Sequence, residues 1–202
     1  MIGKATVLSL LLAAFVADAA GRDGGPSYPL LDGDCGEYAG LAQAKHRVSD
    51  DVALYVFQDH DYVWFCYTLP TSSFGMADLT VAAPALNKPL NLHVSAQLGE
   101  WPADEPDAAP AGPDSPQWWN HSGWSGTTVP FNGAKAALDD AGKPKVDYNF
   151  RMTRARELQL SKQRFGRGEW RWHIDIRNVA DRKGGQVSLR FPKQGEQTLK
   201  VE

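Results

Sequence analysis

The feature that most constrains this chain is a pair of apolar runs, VALYVF at residues 52–57 and YVWFCYTL at residues 62–69, parted by the polar quartet QDHD. β-Branched and aromatic residues dominate both runs, and the break between them is short, so the pair reads as a β-hairpin. Neither run alternates with polar residues. A strand that is apolar on both faces needs cover on both, which places the hairpin centrally in a layered β-structure. Pro70 ends the second strand, because it has no N–H to give the ladder.

Period two recurs downstream. In residues 90–98 (LNLHVSAQL), Leu90, Leu92, Val94, Ala96 and Leu98 fall on one face, with Asn91, His93, Ser95 and Gln97 on the other. Residues 146–152 and 170–176 repeat the pattern, and residues 186–191 read as the closing strand. Residues 154–163 fit either a strand or a short helical turn. No internal repeat and no βαβ rhythm is present, so the pattern predicts an all-β, mostly antiparallel fold. Residues 101–117 interrupt it with five prolines and four acidic residues, too many for a ladder. They read as one long Pro-rich loop, a class that is usually functional or disordered.

Composition sets the outer bounds. A chain of 202 residues, 43% of them hydrophobic, can bury a core without metal or disulfide staples. A formal charge of −3 argues against electrostatic binding to nucleic acid.

Residues 1–19 read as a secretory signal peptide: Lys4 gives a positive start, residues 5–16 are apolar, and Ala17-Asp18-Ala19 is an A-x-A cleavage pattern. Those 12 apolar residues fall short of the roughly 20 that a membrane span requires. The expectation is a secreted or periplasmic protein that does not span a membrane, with one domain over residues 20–202. In such a compartment Cys35 and Cys66 are expected to form a disulfide, with a buried free thiol at Cys66 as the competing reading. Neither cysteine has metal-ligand spacing around it.

Three segments carry a family resemblance. LDGDCGEY at residues 31–38 resembles the "DGxxxEW" opening of family 9 carbohydrate-binding modules and their relatives, with Tyr38 in place of Trp. The hairpin at residues 52–69 is similar to that family's paired strands. ELQLSKQRF at residues 157–165 resembles its "E-φ-x-I-P-x-x-x-φ" segment, with Ser161 in place of Pro. The resemblance spans much of residues 30–180 and implies an immunoglobulin-like, CBM9-like β-sandwich. Members of that family bind sugar chain ends, accompany catalytic domains or hold haem, so fold alone names no ligand.

Trp118, Trp119 and Trp124, with Asn120 and His121 between them and Trp101 at the head of the loop, are the candidate ligand-binding residues. A flat indole covers the apolar C–H face of a sugar, and amide and imidazole groups bond to its hydroxyls. The competing reading has the tryptophans pinning the loop to the sandwich. Adjacent Trp118 and Trp119 cannot face the same way on a strand.

Other clusters read more plainly. Asp50, Asp51, Asp59, His60 and Asp61, and separately Asp32, Asp34 and Glu37, have oxygens for Ca²⁺, but neither set reaches the six to eight ligands it takes. Turn formation accounts for them. His93 and His173 stand on polar strand faces, the latter among Arg171, Asp175 and Arg177. Neighbouring strands would join them into a patch for an acidic or hydroxylated ligand, and a solvated face explains the same pattern. Met76 and Met152 have no haem-ligand spacing to a histidine, and no cofactor is expected. No G-x-S-x-G, H-E-x-x-H or phosphate-loop motif occurs, so an enzyme ranks behind binding. The reading is a non-catalytic module for carbohydrate or cell-envelope glycan, with a structural or protein-interaction sandwich as the alternative.

Overall fold

The structure, a computed structural model, describes residues 29–41 and 43–202. The signal-peptide reading at residues 1–19 lies outside the described residues. In chain order the strands are β1 (Ala44–Arg47), β2 (Ala53–Gln58), β3 (Tyr62–Thr68), β4 (Met76–Ala82), β5 (Leu90–Val94) and β6 (Leu98–Pro102). They continue as β7 (Trp124–Gly126), β8 (Phe131–Leu138), β9 (Pro144–Phe150), β10 (Ala155–Ser161), β11 (Gly168–Ala180), β12 (Gln186–Phe191) and β13 (Gln197–Val201). Single helical turns, α1 (Tyr38–Leu41) and α2 (Lys162–Phe165), precede β1 and follow β10.

The strands form a β-sandwich of two antiparallel sheets. One has the order β1-β2-β3-β10-β7; the other has β12-β11-β4-β5-β6, with β13 also paired to β11. β8 and β9 make a separate two-stranded ribbon. Leu79 and Val81 of β4, Leu92 and Val94 of β5, and Trp170, Trp172, Ile174 and Ile176 of β11 share one buried core with Leu54, Val56, Phe65, Tyr67, Leu158 and Leu160 of the first sheet.

The β2–β3 hairpin is central and covered twice, as its two-sided apolar pattern requires. Its inner residues enter the main core. On the outer side Tyr55, Trp64 and Cys66 pack with Cys35 and Tyr38 of the segment before β1. The Cys35–Cys66 disulfide, with Cα atoms 5.8 Å apart, fastens that segment to β3 and settles the two cysteine readings.

Three sequence readings are corrected and one left open is resolved. Residues 90–98 are two strands, because residues 95–97 reverse the chain and make Val94 and Leu98 a cross-strand pair. The Ser95 hydroxyl accepts from the Gln97 N–H at 3.2 Å, the local competition with strand pairing typical of serine. Trp101 and Pro102 complete β6, so the Pro-rich loop begins after them. Residues 186–191 do not close the sheet: β13 follows, and it shares one edge of the long β11 with β12. Residues 154–163 are both things in succession, since β10 ends at Ser161, whose hydroxyl caps α2 by accepting from Gln163. No described helix is long and apolar enough to cross a membrane.

Candidate functional site

The second sheet turns alternate residues into the core, so the residues between them must face outward. Antiparallel register aligns those outward residues into rows. One row runs Arg190, Asp175, Asp78, His93, Gly99 from β12 across to β6. The next runs His173, Thr80, Asn91, Trp101. The two histidine-bearing strands are not adjacent; β4 lies between them and adds Asp78 and Thr80 to the patch.

The Pro-rich loop folds back over the β5–β6 end of this face. Trp119 N–H donates to the Leu98 carbonyl at 2.8 Å, Gln97 Nε2 to Pro113 at 2.9 Å, and Trp118 Nε1 to Gly112 at 2.8 Å. Gly99 leaves the space that Trp118 fills, since a Cβ there would stand 2.8 Å from the indole. A cleft of about 620 Å³ results. Asp78, Thr80, Asn91 and Arg177 line its floor, Trp101, His93 and Trp118 one wall, and Ser188 and Leu189 the other. The His93 ring sits between the indoles, 5.8 Å from Trp101 and 5.3 Å from Trp118.

The charges of the floor are matched internally. Asp78 accepts from Asn91 Nδ2 at 3.0 Å and lies 2.8 Å from His93 Nδ1, while Arg177 holds its other oxygen. Burial alone would raise the Asp78 carboxyl; the hydrogen bonds and charge of His93, with Asn91 and Arg177, outweigh it and hold the group below its ordinary value. Asp175 is paired with Arg190 at 2.6 Å. Burial, helped by the Arg190 charge, keeps His173 below its usual value. Both carboxylates are therefore engaged by guanidinium groups. The cleft offers flat apolar faces above a lattice of fixed donors and acceptors, the surface that recognises a ring with one apolar side and polar edges.

Of the six residues singled out from sequence, Trp101 and Trp118 line this cleft. Trp119, in a left-handed conformation (φ 66°), is 54% exposed, and Asn120 is exposed beside it. Trp124 is buried at the end of the core, with its indole N–H on Glu100 at 2.7 Å and the His121 ring tilted against it at 4.6 Å. Glu100 in turn holds Arg164 through two 2.6 Å contacts, which closes that cluster. The tryptophans thus divide between wall, surface and core. Asp78 and Thr80 escaped the sequence reading, although MADLTVA alternates as plainly as the strands that were read.

A second convergence joins the segment before β1 to β10. Carboxylate oxygens of Asp32, Glu37 and Glu157 lie within 4.8 Å of one another. Glu157 is buried on β10; it accepts from Gly33 N–H at 2.7 Å and from the Tyr38 hydroxyl at 3.3 Å. Burial pushes its carboxyl up to about 7, against the Gly33 hydrogen bond and with help from the Asp32 charge. Asp34 instead turns its carboxylate to the Gly36 N–H. Asp59 caps its turn by accepting from Asp61 and Tyr62, and Asp51 pairs with Arg182, so that acidic set is dispersed.

No protein-family model, curated protein or solved structure matches the chain.

Proposed function

We propose that this chain is an exported, non-catalytic binding module whose cleft takes a carbohydrate, such as a cell-envelope glycan. The observation that carries the reading is the Trp101–His93–Trp118 wall standing over the in-register polar floor of Asp78, Thr80, Asn91 and Arg177. Indole faces suit the C–H side of pyranose rings, and the floor matches their hydroxyl rims. Export is supported by the signal-peptide pattern of residues 1–19 and by the disulfide. The resemblance to family 9 carbohydrate-binding modules points the same way.

The test is binding to an array of plant and bacterial-envelope polysaccharides, followed by titration of the best ligand. Trp101→Ala and Trp118→Ala are each expected to weaken binding by about tenfold or more, with Trp119→Ala unchanged. Silence across the array, or equal loss in all three variants, overturns the assignment to this cleft. A structural or protein-interaction role is favoured by a different feature, the exposed apolar side of the β8–β9 ribbon.

A further inference from the structure

The β8–β9 ribbon pairs with neither sheet. Its register sets Phe131 opposite Phe150, Ala134 opposite Tyr148, Ala136 opposite Val146, and Leu138 opposite Pro144. Alternate pairs point the same way, so these four rungs form one apolar face. Lys135, Ala137, Lys145 and Asp147 occupy the other. A bulge between Phe131 and Ala134, with Gly133 at φ 104°, keeps Phe131 on the apolar side. At the root of the face, Phe150 meets Phe74 edge-on at 5.4 Å. Beyond it Phe131 is 59% exposed, Leu138 64%, Val146 51% and Tyr148 52%. A two-stranded ribbon is marginal in water on its own, and a contiguous apolar patch of this kind marks an interaction surface.

We propose that the occupant is a second copy of the chain, two ribbons packing face to face about a two-fold axis with the tip of each against the root of the other. The face is self-matching, since no charged side chain stands on its four rungs and none is buried unpaired when copy covers copy. Each half-exposed large side chain offers on the order of 100 Å². With the alanines and Pro144 added, the pair buries roughly 1,000 Å², the lower bound for a specific interface.

Charge fixes the sense of packing. The tip carries Asp139 and Asp140 against Lys143, while exposed Arg151 and Arg154 at the root form no ion pair among the described residues. Opposite sense brings an acidic tip to a basic root twice. Same sense sets tip against tip. A lipid surface would have to admit the two tip aspartates, which is costly. The proposal does not depend on the cleft's ligand, though a dimer would present two clefts to a repeating one.

Sedimentation velocity of the full chain over a concentration series is the test. The expected result is a monomer–dimer equilibrium that Tyr148→Lys shifts wholly to monomer, with an unchanged far-ultraviolet circular dichroism spectrum. Asp140→Lys alone, and Arg151→Glu with Arg154→Glu alone, should each weaken dimerisation by about tenfold. Mixed together, these two variants should form heterodimers, because both tip–root contacts are again opposite in sign. Asp139 is left intact because its carboxylate holds the turn, accepting from Ala141 at 2.9 Å and Lys143 at 2.8 Å. A monomer at every concentration, a dimer indifferent to Tyr148→Lys, or charge variants that fail to recover on mixing overturns the proposal. So does binding of monomeric protein to phosphatidylcholine vesicles that Tyr148→Lys abolishes.

Discussion

Glu157 is the residue whose protonation the fold most plainly controls. Its carboxyl is raised from an ordinary 4.5 to about 7, first by burial and then, against the Gly33 N–H, by the charges of Asp32 and Glu37. A carboxyl raised in this way binds its proton more tightly in the folded chain than in the unfolded one. Its contribution to stability is therefore present below about 4.5 and is lost as pH climbs through about 7. Urea unfolding of the wild type should weaken across that window, and Glu157→Gln should remove that component and gain stability at pH 8. A variant that tracks the wild type at every pH would refute the assignment. The residue types of this cluster were legible in the sequence, as acids at positions 32, 37 and 157. Their convergence was not, because Gly33 and Glu157 meet across 124 positions that only sheet pairing brings together.

Elements show where pattern suffices and where it fails. The hairpin of β2 and β3 was readable because two-sided apolarity has one physical solution, cover on both sides. The break at residues 95–97 was not, because a tight reversal returns Leu98 to the face Val94 occupies, as an uninterrupted strand also would. The same blindness hid the cleft wall: nothing local says that residue 99 is a glycine because Trp118 lies on it. Gly99→Ala tests that contact. The backbone there has no positive φ, so the cost is steric alone: the added methyl stands 2.8 Å from the Trp118 indole and in ordinary contact with Trp101, at 3.5 Å. Stability should change by less than about 1 kcal/mol, since a loop side chain can move aside. Trp118 should leave the wall, with red-shifted fluorescence and a glycan affinity lower by about tenfold. Unaltered affinity would mean that Trp118 does not form the sugar platform.

At the scale of the molecule, the first sheet is fastened to its N-terminal cover by one covalent bond. Cys35 and Cys66 are 31 positions apart, and closing a loop of that size restricts the unfolded chain by on the order of 3 kcal/mol. The same bond does something local. It holds Tyr38 over Tyr55 and Trp64, and it holds Gly33 and Tyr38 against Glu157. Cys35→Ser with Cys66→Ser should therefore do more than lower the midpoint of unfolding. The cover is free to lift from the first sheet, exposing Trp64 and giving water to a carboxyl that burial had kept protonated. With its pKa returned toward the ordinary range, Glu157 loses its influence on the pH profile. The disulfide-free protein should then show the same flattened dependence between pH 5 and 7.5 as Glu157→Gln, and adding that substitution should change nothing further. A disulfide-free protein that is merely less stable, with the wild-type pH profile intact, would show that packing alone holds the cover in place. In that case the bond acts only on the unfolded chain.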